Sequence, residues 1–410
     1  MIVELHLLQN FAPSCLNRDD TNSPKDCDFG GYRRARISSQ CIKRAVRDFF
    51  KANQENLGIH QKLGERSRSW PREMIKSLVS AGKDEKEARL LTALVLGATS
   101  FWLDKKDSNR TSVLLFLEPD IRPRLQEAII KYWDALIPIG QGFEKKLRIK
   151  EKEAERESED EAKGKETKKD KLANEIKTKL PSEIKQLLDS IKTTVVSAVD
   201  IALFGRMIAD LADMNIDAAC QVAHAISTNQ VSMEFDFYTA VDDLSPKEET
   251  GAGMMGTVEF NSACFYRYAN LDFNQLTTNL GGDQELARTA VKAFLTAAVK
   301  AVPTGKQNSM AAHNPPSFIF AVVREHGLWN LANAFVEPVR PARDGHLVQK
   351  SITALENYWG RLAAAYGEEG IQARAALAVD GELSGLKNYE KKSFNVLLDT
   401  VMDALPGGRL

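Results

Sequence analysis

Residues 2–9, IVELHLLQ, alternate in apolar character, and the chain returns to that two-residue period only after a long helical stretch. Strands require the period of two because successive side chains point to opposite faces, whereas a helix buries one face every 3.6 residues. The order in which the two periods occur constrains the fold more than any single motif. An opening strand is followed by a loop-like stretch over 11–37, rich in Asn, Asp, Pro and Gly, and by a helix capped at Ser38 or Ser39. Ile42, Ala45, Val46 and Phe49 form the apolar face of that helix. Residues 54–140 read as mainly helical, with ARLLTALVLGATSFWL and RPRLQEAIIKYWDALI carrying the period. Helix resumes at Pro181 through SEIKQLLDSIKTTVVSAVDIALFGRM, and another helical segment is expected at DAACQVAHAIST. Alternation returns in SMEFDFYTAVDD and TVEFNSACFYRYANLDF, which flank the loop SPKEETGAGMMG and predict a projecting β-hairpin. A helix (LARTAVKAFLTAAVKAV), a polar loop (TGKQNSMAAHNPP), a strand (FIFAVV) and two further helical stretches complete the chain. Interleaved strands and helices with two insertions predict an α+β fold.

Composition narrows the chemistry. The 410 residues suffice for two or three domains, and a formal net charge of -1 gives no global pull toward nucleic acid or membrane. Any anion site must come from local clustering. The five cysteines form no C-x-x-C pair, and the six histidines form no H-E-x-x-H pattern, so neither a disulfide framework nor a metal site is expected. The start reads as a strand, not a signal peptide, and no apolar run approaches the roughly 20 residues of a membrane span. The expectation is a cytoplasmic protein with no membrane partner.

Four features carry possible chemistry. FGGYRRARISSQCIKRAVR, residues 29–47, places Arg33, Arg34, Arg36, Lys43, Arg44 and Arg47 behind a Gly-Gly turn and on a helix face. Such spacing suits a phosphate backbone, since arginine bonds two phosphate oxygens at once. It equally suits an ordinary exposed face paired with Asp19, Asp20, Asp26 and Asp28. The hairpin aromatics Phe235, Phe237 and Tyr238 cannot all face one core on a regular strand; a base-stacking wedge and plain packing are both open. Asp242 and Asp243 lack a second ligand cluster, so a turn role is favoured over a metal. TGKQNSM can approach a phosphate but is not a P-loop. The mixed-charge run 144–185 reads as a solvated helix pair, a partly disordered insertion or a basic finger.

Taken together, SCLNRDDTNSPKD, FGGYRRARISSQCIKRA, VDIALFGRM, AHAISTNQVSMEFDFYTAVDDL, FYRYANL and the GKQ…AAHNP loop resemble the CasC backbone subunits of type I-E CRISPR Cascade, in the family's order and over most of the chain. The resemblance implies an RNA-recognition-motif-like (ferredoxin-like) palm over 1–53, 193–230 and 262–410. It implies helical fingers over 54–192 and a β-hairpin thumb over 231–261. Copies would line a CRISPR guide RNA beside other Cascade subunits, leaving bases free to pair with target DNA. By motif, Arg18, Lys25, Gln40, Lys43, Arg44, Arg47, Lys306 and Gln307 would hold the guide, and Met207, Phe237 and Tyr238 would wedge around a displaced base. The relatives carry Trp-Phe where this chain has Phe237–Tyr238. Lys168, Lys169 and Lys171 are candidates for touching duplex DNA. No cofactor, metal or catalytic residue is implied. Two other classes stand beside this reading: a nuclease using Asp242 or Asp243, and a metabolic enzyme with a phosphate-bearing substrate.

Overall fold

The computed structural model describes residues 1–154, 162–191, 195–208, 211–240, 254–341 and 346–407. The chain divides into two compact units, one of residues 1–59, 219–277 and 283–410, the other of residues 60–218 and 278–282. Eleven strands occur among the described residues: β1 (Ile2–Ser14), β2 (Asp26–Phe29), β3 (Tyr32–Ile37), β4 (Glu65–Ser67), β5 (Leu115–Leu117), β6 (Cys220–Val222), β7 (Ala225–Ser227), β8 (Glu234–Ala240), β9 (Met254–Asp272), β10 (Phe318–Arg324) and β11 (Ile371–Ala378).

The first unit is built on one antiparallel sheet in the order β11-β10-β1-β9-β7-β3-β2, with β6 and β8 also paired to β9. Helix α1 (Ser39–Ala52) and the helix Gln284–Lys300 cover one face, where Ile42, Val46, Phe294 and Ala298 meet Leu5 and Leu7. The helix Leu347–Tyr366 covers the other, with Ile352, Leu355 and Trp359 against Leu8, Tyr266 and Phe320. β1 is therefore a central strand covered on both faces, and its polar positions are buried too. Glu4 Oε2 lies 3.0 Å from Arg324 Nε, and Glu4 Oε1 accepts from the Tyr268 hydroxyl (2.9 Å) and the Trp329 amide (2.7 Å). His6 Nδ1 lies 2.9 Å from the Tyr266 hydroxyl. Burial, with Arg324 adding to it, pushes the His6 pKa down to about 3, so the ring is neutral at physiological pH.

The second unit packs helices around Trp70, Leu91, Leu94, Leu125, Ile129 and Leu188, with the two-stranded β4–β5 sheet attached. The mixed-charge run falls in the helices Trp133–Ala154 and Ala162–Lys179, and residues 155–161 lie outside the described residues.

Several expectations are corrected. The stretch 11–37 is no simple loop: β1 runs on to Ser14, and β2 and β3 form a hairpin. DAACQVAHAIST is not helical; it supplies β6 and β7, because pairing with β9 outweighs the weak helix propensity of its Val, Ile and Thr. The helix expected from Pro181 through Met207 is two helices, Ser182–Ile191 and Val199–Phe204, with non-helical Val195–Ala198 before the second. β4, β5 and β11 were not anticipated. On α1, Phe50 is buried and Phe49 half-buried, since 42, 46 and 50 form the i, i+4 row that meets the sheet.

Candidate nucleic-acid interface

The Gly-Gly turn is a two-residue hairpin loop. Phe29 pairs with Tyr32, and Gly30 and Gly31 both take positive φ (63° and 83°), the backbone of a type I′ turn that glycine alone adopts without strain. The arginines of YRRARI take different places on β3. Arg34 turns inward and is fully buried. Its Nη1 donates to the Ser227 and Thr228 carbonyls (2.9 Å each), and its Nη2 to those of Phe335 (2.7 Å) and Val336 (3.1 Å). It is a structural strut, not a surface charge. Arg33 is paired with Asp26. Arg36 donates to the Asp26 carbonyl (3.2 Å) and lies 3.0 Å from His224 Nδ1. Burial, then Arg36 and Lys25, hold the His224 pKa below its ordinary value, which places Lys25, Arg36 and His224 in one neighbourhood.

Ser38 caps α1 by accepting the Cys41 amide (3.3 Å). Gln40 is exposed on the outer side of the helix, Lys43 and Arg47 are half-buried, and Arg44 is exposed, 3.6 Å from Asp48. Burial pushes the pKa of the Cys220 thiol on β6 up to about 12, and the charge of Lys43 opposes that rise. Burial likewise raises the Cys41 pKa against the opposing charges of Arg44 and Lys25.

The late loop joins this surface. A Cβ at Gly305 would overlap the carbonyl oxygens of Leu16 and of Cys15, the latter at 2.7 Å, so only glycine lets the two loops touch. Burial raises the Cys15 pKa while Arg18 and Lys306 oppose it, so both cations flank that thiol. Arg18, Arg44, Asn17, Thr304 and Gly305 line one open groove together with Asp19 and Asp48. Arg18 is bonded to Asn22. Gln307 spends its amide on its own loop, donating to Pro303 (3.0 Å) and Ala312 (3.1 Å) carbonyls.

β8 projects along the outer half of β9 with every side chain from Glu234 to Thr239 exposed. Phe237 is 62% exposed. Tyr238, 40% exposed, faces the other way and lies over Gly256, its cross-strand partner. Phe235, which the motif comparison did not select, is 67% exposed on the face of Phe237; its signal was the i, i+2 spacing of aromatics. Asp242 and Asp243 lie outside the described residues. Met207, in the second unit, is 83% exposed beside buried Arg206, whose Nε donates to the Met214 carbonyl (2.7 Å). Lys171 is exposed; the side chains of Lys168 and Lys169 lie outside the described residues. Nearby lysines are neutralised, Lys146 and Lys179 by Glu175 and Lys177 by Asp189. No cluster of His, Cys, Asp and Glu that could hold a metal occurs among the described residues. Nor is any helix there long and apolar enough to cross a membrane.

An α+β protein whose first unit gathers Arg18, Lys25, Arg36, Arg44 and Lys306 on loops, a strand and one helix has a surface fit for a polyanion. The chain belongs to the family described as CT1975-like protein, whose model matches residues 3–404. It is similar to a chain of a solved "CRISPR RNA-guided surveillance complex, pre-nicking", with 29% identity and a TM-score of 0.77 over 98% of this chain and 100% of that one. A chain of another "CRISPR RNA-guided surveillance complex" shares the fold, with 24% identity and a TM-score of 0.59 over 98% and 99%. No curated protein matches.

Proposed function

We propose that the protein is a guide-RNA-binding backbone subunit of a type I-E Cascade complex, oligomerising along CRISPR RNA and presenting it to target DNA without catalysing a reaction. The observation that carries the reading is the end-to-end likeness to a chain of an RNA-guided surveillance complex, at 29% identity. Supporting it, the cations the motifs selected at 18, 25, 44 and 306 converge on one unit despite their separation in sequence. The strand order β10-β1-β9-β6/β7, with α1 and Gln284–Lys300 on one face, supports an RNA-recognition-motif-like palm. The second unit corresponds to fingers and the β8–β9 hairpin to a thumb. Met207 in the second unit, and Phe237 and Tyr238 on the hairpin, are each exposed, as residues of a base-displacing wedge would be, and Lys171 remains a candidate for duplex DNA. Other Cascade subunits and further copies would be its partners, in the cytoplasm.

The test is co-expression with partner subunits and a CRISPR array. The expected product is a large particle holding one uniform RNA. Replacing Arg18 and Lys306 with glutamine should weaken RNA retention. On purified protein with single-stranded RNA, it should lower the slope of log affinity against log salt by about 1.4, two contacts at roughly 0.7 each. An RNA-free particle, or an unchanged slope, would sink the proposed surface.

A further inference from the structure

The groove between residues 16–22, α1 and residues 303–305 holds two carboxylates, Asp19 and Asp48, beside the cations Arg18 and Arg44. Its volume is about 540 Å³, enough for a sugar–phosphate unit. The resemblance assigns cations here and neither carboxylate. Arginine accounts for a phosphate, but a carboxylate facing the same strand repels it. A carboxylate in such a place is favourable only where the strand offers it a hydrogen-bond donor.

The hydrogen bonds around the groove single out one of the two. Asp19 is fixed in its own turn: its Oδ1 accepts the Thr21 amide (3.0 Å), the Thr21 hydroxyl (2.8 Å) and the Ser23 amide (3.0 Å). Those bonds, the Thr21 hydroxyl's first, hold its pKa below the ordinary carboxylate value. Asn17 Oδ1 accepts the Ser38 amide (2.8 Å), and Asn22 Oδ1 accepts from Arg18. Asp48 differs. It is exposed on α1, and Arg44 Nε, one helical turn away, stands 3.6 Å from its Oδ2, beyond hydrogen-bond distance. An exposed pair of this kind is held loosely. Of these four acceptors, Asp48 is the one not tied into the loop.

RNA supplies the matching donor. Its ribose carries a 2′-hydroxyl on the carbon next to the one bearing the 3′-phosphate, and DNA lacks it. A strand whose phosphate lies on Arg44 therefore brings a hydroxyl within reach of Asp48, one turn further along α1. A base edge lies on the far side of the sugar from that phosphate. We propose that Asp48 accepts a ribose 2′-hydroxyl from a strand held by Arg18 and Arg44, which makes the groove selective for RNA over DNA. This selectivity rests on the guide-RNA reading above.

The experiment uses the purified full chain and three oligouridylates of equal length, with ribose, 2′-deoxyribose or 2′-fluororibose throughout. Uracil bears no exocyclic amine, and 2′-fluororibose keeps the pucker of ribose but cannot donate a hydrogen bond. The wild type should bind the ribose strand about tenfold more tightly than either analogue, the worth of one hydrogen bond to a charged acceptor. Asp48→Ala should bring the three affinities within about twofold of one another. Asp48→Asn, which keeps an acceptor oxygen, should retain a several-fold preference. The ratio of affinities is blind to any loss of folded protein. An undiminished preference in Asp48→Ala, with all three affinities shifted alike, would overturn the contact and assign Asp48 to the placement of Arg44. Full-strength binding of the 2′-fluoro strand by the wild type would overturn it too, and assign the preference to sugar pucker. Equal binding of all three strands by the wild type removes only the 2′-hydroxyl contact; binding of none removes the cationic surface, and the contact with it.

Discussion

Arg34 and Arg18 carry the same guanidinium to opposite fates. Arg34 is enclosed by four carbonyls, whereas Arg18 stands exposed at the mouth of a groove. The cationic run was legible in the sequence; its division was not, because Arg34 and Arg36 share a strand parity and only distant segments, the carbonyls of Phe335 and Val336 among them, enclose Arg34. His6 shows the same limit. Its place in an alternating segment was visible, but a second covering helix is needed to bury it. In the unfolded chain its imidazole titrates near 6.5, and in the fold near 3. Between those pH values the unfolded state binds more protons, so stability rises with pH and is lost as pH falls from about 6.5 toward 3. The slope from this residue is at most about 1.4 kcal/mol per pH unit. Urea midpoints measured from pH 7.5 to 4.5 should fall more steeply for the wild type than for His6→Phe; parallel curves would refute the assignment.

At the scale of elements, long periodic segments were readable and short strands were not. β9 and the helix Gln284–Lys300 follow their patterns closely. β6 and β7, three residues each, have too few positions to display a period, and their identity comes from the β9 edge they join. The candidate site was legible as residue types, but not as the loop contact that assembles it. That contact depends on Gly305 lying against the Leu16 carbonyl. Gly305→Val should push the late loop away from residues 15–18, separating Lys306 from Arg18. RNA affinity should drop about as far as in the Lys306→Gln single variant, while the thermal midpoint moves by only a few degrees. Wild-type affinity in Gly305→Val would show that the loops act independently.

For the whole molecule, a net charge of -1 reflects cations set close to carboxylates, as the paired lysines of Ala162–Lys179 and the groove, where Arg18 and Arg44 stand with Asp19 and Asp48, both illustrate. Each unit has its own core, so denaturation should not be a single two-state event. Leu91→Ala, at a fully buried position of the second unit, should cost about 2–5 kcal/mol there. Hydrogen exchange should register the loss in residues 60–218 and leave the protection of β1 and β10 unchanged; equal loss in both would mean one cooperative unit. The double covering of the central sheet has a further consequence. With Tyr266, Tyr268 and Phe320 sealed beneath Leu347–Tyr366, these sheet aromatics offer no platform on which a run of bases could lie flat. Under the proposed function, a polymer would be gripped by its margin, and a polymer held by its margin would keep most of its bases turned outward.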